Sequence, residues 1–207
     1  MTRIIGGRCG GTRIRVPSTG TRPTSDRVRE ALFSSLDSWL ARGGRTWADV
    51  SVLDLYAGSG AVGLEAASRG AGEVTLVESD PRAFTVLADN CRIVRAALGR
   101  AARIVATRAD ARRPPVHHSV DIAFLDPPYS TSDADVAGVL NALAAGRILT
   151  PESLVVVERG RQSGSPWPKA WSADSDRAYG DTRLWYGHVV VDEDSDLAPR
   201  KAGRSDA

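Results

Sequence analysis

The chain is short of cysteine and of long apolar runs. Its 207 residues include only two cysteines, Cys9 and Cys91, whose spacing makes neither a disulfide framework nor a zinc site. Two isolated thiols favour a reducing compartment, so we expect a cytoplasmic protein that binds no metal. No uncharged stretch approaches the roughly 20 apolar residues of a transmembrane helix, and the first residues lack the order of a signal peptide. We therefore expect no contact with a membrane.

Lysine is also scarce, which puts almost all of the positive charge on arginine. Lys169 and Lys201 are the only lysines, and the net charge is only +2. Residues 1–30 hold seven arginines against Asp26 and Glu30, which leaves a local charge of +5. Such an excess at one end of a nearly neutral chain favours a surface that faces a polyanion. A solvated surface of an arginine-rich protein is the alternative interpretation.

Length and composition predict one domain with small additions. Hydrophobic residues make up 42% and charged residues 25% of the chain, which is enough to bury a sizeable core. We predict an extension over residues 1–20, a main domain over residues 21–192 and a disordered tail over residues 193–207.

The extension is predicted to be a β-hairpin. Over residues 2–16, two short runs with β-branched residues flank a glycine-rich turn. Arg13 and Arg15 alternate with Ile14 and Val16, which places both arginines on the same face of the second strand. The hairpin is therefore expected to present a basic face.

The main domain alternates apolar strands with helical patterns. Strands are predicted at residues 50–56, 73–79, 102–107, 120–126 and 153–159. Helices are predicted from a cap at Thr24 or Ser25 to about Ala41, and at residues 61–70, 81–98 and 133–145. This order predicts an α/β fold with a doubly wound, mostly parallel sheet. A last strand pair around Gly180 and Asp181 must be antiparallel, so we expect an antiparallel strand near the end of the sheet.

The first apolar strand of the main domain leads into a glycine-rich loop. The sequence of residues 54–63 is DLYAGSGAVG, in which Gly58, Gly60 and Gly63 satisfy G-x-G-x-x-G between a strand and a helix. Glu78 closes the second strand, at a position where a carboxylate can bind both hydroxyls of a ribose. This pattern fits NAD and S-adenosylmethionine equally well.

Two further acids favour S-adenosylmethionine. Asp54 lies beside the glycine turn, where it would repel the pyrophosphate of a dinucleotide but attract the ammonium and sulfonium of S-adenosylmethionine. Asp110 follows the third strand, where a carboxylate could accept a hydrogen bond from the adenine amine. The alternatives are a turn residue for Asp54 and an N-cap of residues 111–113 for Asp110.

The fourth strand leads directly into Asp126, Pro127, Pro128 and Tyr129. Two successive prolines make a rigid loop, which can present the Asp126 carboxylate and the Pro127 carbonyl as fixed acceptors. Acceptors on both hydrogens of an exocyclic amine favour a nucleophilic, pyramidal nitrogen and stabilise its developing positive charge. Tyr129 offers a ring face for a flipped-out base. The tetrapeptide therefore predicts an amino-methyltransferase, and a stiffened loop with a core tyrosine is the alternative.

These motifs together resemble a known family. DPPY after the fourth strand, with DLYAGSGAVGLEA after the first, resembles the class I amino-methyltransferases. RIIGGRCGGTRIRVP followed by RPTSDRVREALFSSL is similar to the bacterial 16S ribosomal RNA guanine-N2 methyltransferases, and the resemblance covers about residues 2–190. It implies a Rossmann-like sheet of seven strands and a hairpin that touches RNA. It also implies S-adenosylmethionine as cofactor, and a guanine of 16S ribosomal RNA within a small-subunit assembly particle as substrate.

By its matched motifs, the resemblance assigns residues to three roles. The residues expected to line the cofactor are Asp54, Ala57, Gly58, Gly60, Glu78 and Asp110. Those expected to meet the target amine are Asp126, Pro127, Pro128 and Tyr129. The basic N-terminus and the RPT segment supply the RNA-binding candidates, which are Arg3, Arg8, Arg13, Arg15, Arg22, Thr24 and Arg27.

Three other functions compete with this interpretation. A DNA adenine-N6 methyltransferase would use the same tetrapeptide, but sequence-specific DNA readers usually need a larger recognition domain than about 20 residues. Enzymes that methylate a glutamine amide in a protein typically carry Asn where this chain has Asp126. A non-catalytic ribosome-assembly factor would have no need to keep the acceptors and the stacking ring together.

Overall fold

The computed structural model describes residues 1–17 and 25–190. The predicted tail at residues 193–207 and two RNA-binding candidates, Arg22 and Thr24, lie outside the described residues, so the predictions made for them stay predictions. Within the described part of the chain, no helix combines the length and the apolarity needed to cross a bilayer.

The described residues contain nine β-strands and four α-helices. In chain order these are β1 (Thr2–Arg3), β2 (Arg13–Ile14), α1 (Asp26–Arg42), β3 (Ser51–Leu55), α2 (Ala61–Arg69), β4 (Glu73–Glu78), α3 (Pro81–Leu98), β5 (Arg103–Arg108), β6 (Ile122–Leu125), α4 (Asp133–Ala145), β7 (Leu154–Gly160), β8 (Trp171–Tyr179) and β9 (Thr182–Val189).

Strands β3 to β9 form one mixed sheet in the order β5-β4-β3-β6-β7-β9-β8. The first five strands of this order pair in parallel, whereas β9 is antiparallel to both β7 and β8. This topology confirms the predicted parallel sheet with an antiparallel strand near its end. The chain moves outward from β3 to β5 and then returns to β6 on the other side of β3. Such a reversal of strand order opens a crevice beyond the carboxyl end of the central strand.

Helices cover both faces of the sheet. Helices α1, α2 and α3 pack on one face, and α4 packs on the other together with the segment that connects β5 to β6. On β3, Val52 lies in the core under the three helices, while Leu53 and Leu55 lie in the core under α4. Burial on both faces explains why this strand is a nearly continuous apolar run.

Local signals decide where the helices begin. The Ser25 side chain accepts a hydrogen bond from a backbone N–H in the first turn of α1. Asp80 caps α3 in the same way, and Pro81 occupies the first helical position, where its missing N–H has no cost. Because these signals are local, the predicted bounds of the helix at residues 81–98 match those observed.

The N-terminal extension contains less strand than predicted. Strands β1 and β2 pair over two residues each, and a 3-10 helix at Gly7–Cys9 lies between them. Gly7 has a φ of 72°, and a Cβ at this position would lie 2.1 Å from the Ser68 carbonyl oxygen. Only glycine allows the extension to approach α2 so closely, and this contact takes the place of longer strand pairing.

The extension is anchored in the core of the main domain. Ile4, Cys9 and Ile14 are buried together with residues of α1, α2 and α3. The carboxylate of Glu65, which is fully buried in α2, accepts the N–H groups of Ile5 at 2.6 Å and Gly6 at 2.8 Å. Residues 1–17 therefore share one core with the main domain.

One arginine of the basic N-terminus has a structural role. Arg29 is fully buried, and its guanidinium donates to Asp26 Oδ1 at 2.7 Å, Thr2 Oγ1 at 2.9 Å and the Arg3 carbonyl at 2.9 Å. These bonds hold β1 against α1. Arg29 is therefore not available to bind a polyanion, and residues 1–30 have one positive charge fewer for that purpose.

We predict that Glu65→Ala will release the extension from α2. The substitution leaves the N–H groups of Ile5 and Gly6 and the guanidinium of Arg69 without their carboxylate, which should cost about 3 kcal/mol of unfolding free energy. Urea denaturation measures this loss. The control is Glu30→Ala, which removes an exposed carboxylate from α1. Equal stability of the two variants would contradict the anchoring role.

Candidate active site

Three carboxylates meet at the carboxyl edge of the sheet. Asp54 lies on β3, Glu78 ends β4, and Asp126 directly follows β6. Because β3 pairs in parallel with both β4 and β6, the three side chains come from neighbouring strand ends at the crevice where the strand order reverses. Sequence reasoning placed these acids at strand ends, and the sheet order brings them together.

The glycine loop after β3 is held in a compact turn. The Ala57 N–H donates to the Val77 carbonyl at 2.9 Å, and the Ala57 carbonyl accepts the N–H of Gly60 at 2.6 Å. Gly60 has a φ of 79°, and a Cβ there would lie 2.5 Å from Leu87 Cδ1, so the position requires glycine. Tyr56 also has a positive φ, of 60°, which costs energy in a residue other than glycine and is typical of functional loops.

Asp54 is the most deeply buried acid of the three. It is 2% exposed, and its Oδ2 accepts the N–H of Gly63, in the first turn of α2, at 2.8 Å. Burial raises the pKa of this carboxyl to about 7, with smaller contributions from the negative charges of Asp126 and Glu78. The hydrogen bond from Gly63 acts in the opposite direction. A pocket with this much negative charge suits a cationic ligand and opposes a phosphate.

Glu78 connects the glycine loop to the end of β4. Its Oε2 accepts the N–H of Gly58 at 2.8 Å, and its Oε1 accepts the N–H of Asp80 at 2.8 Å. Each carboxylate oxygen has a further lone pair, so these bonds leave Glu78 able to accept hydrogen bonds from ligand hydroxyls. The residue therefore fits the ribose-binding role expected from the sequence, and that role stays a prediction.

Asp110 lies at the same edge of the sheet but is more exposed than the other acids. Its carboxylate accepts the backbone N–H of Arg112 at 2.9 Å and pairs with the guanidinium of the same residue. Hydrogen bonds from Arg112 lower the pKa of Asp110 to about 2. The carboxylate thus stabilises a turn at residues 111–113, where the alternative interpretation expected a capped helix, and its proposed contact to adenine stays a prediction.

The DPPY segment presents a ring to solvent. Asp126 is half-buried and Pro127 buried, whereas Pro128 is exposed and Tyr129 is 68% exposed. The core tyrosine of the alternative interpretation is therefore wrong, because the Tyr129 ring lies at the surface. An exposed aromatic ring at this edge can receive another flat ring.

The RNA-binding candidates within the described residues lie on the surface. The side chains of Arg3, Arg8, Arg13, Arg15 and Arg27 are all exposed. Arg3 pairs with Asp26 at 3.5 Å and Arg15 with Asp89 at 3.4 Å, and such exposed pairs are weak enough for a phosphate to replace them. Arg13 and Arg15 flank the buried Ile14, as the alternation predicted.

Sequence reasoning missed Asn90, which joins the extension to the glycine loop. Its Nδ2 donates to the carbonyls of Ser59 at 2.8 Å and Arg15 at 2.9 Å, while its Oδ1 accepts the Arg15 N–H at 2.9 Å. A polar residue on the buried stripe of α3, beside Cys91, was the signal that could have revealed it. Sequence reasoning also missed Arg159, near the end of β7, for which the signal was again a polar residue in a buried element.

We predict that Asp54→Asn will remove a pH dependence of stability. A carboxyl with a pKa of about 7 in the folded chain ionises near pH 4 when unfolded, so wild-type stability should fall between about pH 4 and pH 7. The introduced asparagine keeps an oxygen for the Gly63 N–H and carries no charge. Relative to wild type, the variant should gain on the order of a few kcal/mol between pH 5 and pH 8. Urea unfolding at pH 5 and at pH 8 measures the free energy of unfolding of both proteins. If the variant differs from wild type by the same amount at both pH values, the prediction is contradicted.

Comparison with known proteins places this site in a family. The family model described as Conserved hypothetical protein 95 matches residues 2–188. The chain is 36% identical to ribosomal RNA small subunit methyltransferase D of Escherichia coli, over 94% of each chain, and 32% identical to the Haemophilus influenzae protein of that name, over 86% of this chain and 89% of the relative. The solved structure of the candidate methyltransferase yhhF from Escherichia coli superposes with a TM-score of 0.72 at 35% identity, and the match covers 91% of this chain and 98% of that one.

These matches extend from the N-terminal extension to the last strand, so they include the glycine loop, the acidic crevice and DPPY. The sheet order and the four helices are those of the class I methyltransferase fold. The chain therefore belongs to the family described as Conserved hypothetical protein 95 and is a relative of ribosomal RNA small subunit methyltransferase D.

Proposed function

We propose that this protein transfers a methyl group from S-adenosylmethionine to the exocyclic N2 amine of a guanine in 16S ribosomal RNA. The observation that carries the proposal is the DPPY segment, whose Asp126 lies near Asp54 and Glu78 beside the glycine turn and whose Tyr129 ring is exposed. The relatives named ribosomal RNA small subunit methyltransferase D support the class of substrate. The proposed site residues are those that the sequence motifs assign.

Bound S-adenosylmethionine supplies an electrophilic methyl group on a cationic sulfur. The residues proposed to hold it are Asp54, Ala57, Gly58, Gly60, Glu78 and Asp110, all at the carboxyl edge of the sheet. The carboxylates of Asp54 and Glu78 attract its positive charge, and the compact glycine turn leaves room for the ligand to approach the backbone. A phosphate-bearing dinucleotide would meet the same negative charge as repulsion.

Asp126 and Pro127 prepare the target amine. The lone pair of an exocyclic amine is delocalised into the base, which makes the nitrogen a poor nucleophile. The Asp126 carboxylate and the Pro127 carbonyl accept its two hydrogens, which favours a pyramidal nitrogen with a localised lone pair. The same acceptors stabilise the positive charge that develops on the nitrogen. Pro128 keeps the loop rigid, and the exposed ring of Tyr129 stacks on the flipped-out guanine.

Exposed arginines of the N-terminal extension and of the first turn of α1 bind the RNA backbone. Arg3, Arg8, Arg13, Arg15 and Arg27 are exposed, and Arg22 and Thr24 join them by motif alone. Asn90 ties this surface to the glycine loop through hydrogen bonds to Arg15 and Ser59.

We further infer that the substrate is RNA within a small-subunit assembly particle. The two free cysteines are both buried, which suits a reducing cytoplasm.

We predict that Asp126→Ala will reduce methyl transfer far more than cofactor binding, because its contact to the amine strengthens in the transition state. Loss of such an acceptor should lower kcat by roughly 100-fold or more. Methyl transfer from labelled S-adenosylmethionine is measured on naked 16S RNA, small-subunit particles, duplex DNA and protein, with calorimetry for the cofactor. Asp176→Ala, which removes an exposed acid from the edge strand β8, is the control.

The choice of acceptor in that assay separates the competing functions. Label in guanine N2 of 16S RNA supports the proposal, while label in DNA adenine or in protein contradicts it. No transfer to any acceptor would favour the non-catalytic assembly factor. Transfer at the wild-type rate by Asp126→Ala would show that the proposed chemistry is wrong.

We predict that replacing both Arg13 and Arg15 by alanine will weaken RNA binding and flatten its salt dependence. Each lost phosphate contact should lower the slope of log affinity against log salt by roughly 0.7 to 0.9. Point substitutions are sharper than deletion of the extension, because Ile14 is in the core and the Arg15 backbone binds Asn90. The measurement is RNA affinity over a salt series.

The matched control is a double replacement of Arg100 and Arg103 by alanine. It removes the same charge from exposed residues at the amino end of β5, away from the candidate site. Equal salt slopes for the two double variants would contradict RNA binding by Arg13 and Arg15. They would favour the alternative, in which the basic N-terminus is only a solvated surface.

A further inference from the structure

The DPPY loop, residues 126–132 between β6 and α4, needs support from outside itself. Pro127 and Pro128 have no backbone N–H, so neither can donate a hydrogen bond that ties the loop to a neighbouring strand. The N–H of Thr131 bonds back to the Pro128 carbonyl at 2.8 Å, within the loop. The prolines thus give the loop its shape, but its position relative to the sheet depends on other contacts.

Arg159 supplies such a contact from the adjacent strand β7. Its Nη2 donates to the Thr131 carbonyl at 2.7 Å and to Asp133 Oδ1 at 3.0 Å. The Arg159 side chain is 7% exposed and the Asp133 side chain is 46% exposed, so the guanidinium is shielded from water while the carboxylate is partly solvated. Strand β7 is itself held against β6 by parallel pairing. The guanidinium therefore connects the end of the loop and the first residue of α4 to a rigid element.

The next residue of β7 seats the ring of Tyr129. A Cβ built at Gly160 would lie 3.7 Å from Tyr129 Cε1, which means that the ring lies against the backbone of this strand end. Arg159 and Gly160 thus act on the same loop, one through hydrogen bonds and the other through close packing. Displacement of the loop would separate the Tyr129 ring from its seat.

The contacts of Arg159 contribute little net stability to the fold. Its Nε is buried and has no hydrogen-bond partner in the part of the chain that the structure describes. The Asp133 side chain is 46% exposed, so water can solvate its carboxylate when the guanidinium is removed, and an ion pair with this much exposure contributes little stability. Arg159 therefore affects the position of the loop more than it affects the stability of the chain.

We propose that Arg159 is a positioning residue for methyl transfer, which fixes residues 126–132 so that Asp126 and Tyr129 meet the target amine. The proposal rests on the proposed function of those two residues. It adds that a residue on β7, with no contact to substrate, controls the turnover rate through the Thr131 carbonyl and the Asp133 carboxylate.

The test compares Arg159→Met, Arg159→Lys and Arg45→Met with the wild-type protein. Methionine keeps an apolar stem and removes the hydrogen bonds, while lysine keeps a cationic donor. Arg45 is the matched control, because it donates to Asp121 Oδ1 at 2.6 Å at the amino end of β6, opposite to DPPY. The readouts are kcat and KM for methyl transfer to small-subunit particles, calorimetric affinity for S-adenosylmethionine, melting temperature, and hydrogen-deuterium exchange of the amides at residues 129–132.

Arg159→Met should lower kcat by roughly 10- to 100-fold, since a small misplacement of reacting groups has effects of this size. Cofactor affinity and melting temperature should not fall, and amide exchange at residues 129–132 should become faster. Arg159→Lys should recover part of the rate, and Arg45→Met should keep the wild-type kcat and exchange.

Three results would overturn the positioning role: a wild-type kcat in Arg159→Met, an equal loss of kcat in Arg45→Met, or unchanged amide exchange at residues 129–132. Failure of the proposed function is distinguishable from these results. If the wild-type protein methylates no nucleic acid, the exchange data still decide whether Arg159 holds the loop.

Discussion

Crowding of negative charge at the carboxyl ends of β3, β4 and β6 is the constraint around which the site is arranged. Asp54 is buried near the charges of Asp126 and Glu78, and its pKa is raised to about 7 mainly by burial and to a smaller extent by these charges. The fold tolerates the arrangement because backbone N–H groups of Gly58 and Gly63 point into it. A cationic ligand would relieve the repulsion, which is why the proposed site suits the sulfonium and ammonium of S-adenosylmethionine.

The sheet supplies the rigidity that such a site requires. Apolar residues cover both faces of β3 and β6, which fixes the strand ends from which the acids project. The loops that follow these strands are then tied by polar contacts, Glu78 to Gly58 in the glycine loop and Arg159 to Thr131 in the DPPY loop. Each contact reaches from the adjacent strand, so the geometry of the sheet sets the geometry of the site.

The N-terminal extension is tied to the same rigid scaffold. Glu65 binds its backbone to α2, and Asn90 connects Arg15 to the Ser59 carbonyl in the glycine loop. The proposed RNA surface and the proposed cofactor site are thus separated by one side chain. Asn90, on α3, is thus the side chain that connects the two proposed surfaces.

Elements defined by local pattern followed from the sequence alone. The strand and helix alternation, the cap and proline that begin α3, the glycine loop and the position of DPPY are set by neighbouring residues, so periodicity and motif spacing predicted them. The tertiary structure decided the rest, because the partners lie far apart in the chain. Only the folded chain buries Arg29 against Thr2, brings Glu65 to Ile5 and aims Arg159 at Thr131. For the same reason the pKa of Asp54 could not be foreseen, since it depends on burial and on charges that only the order of the strands brings together.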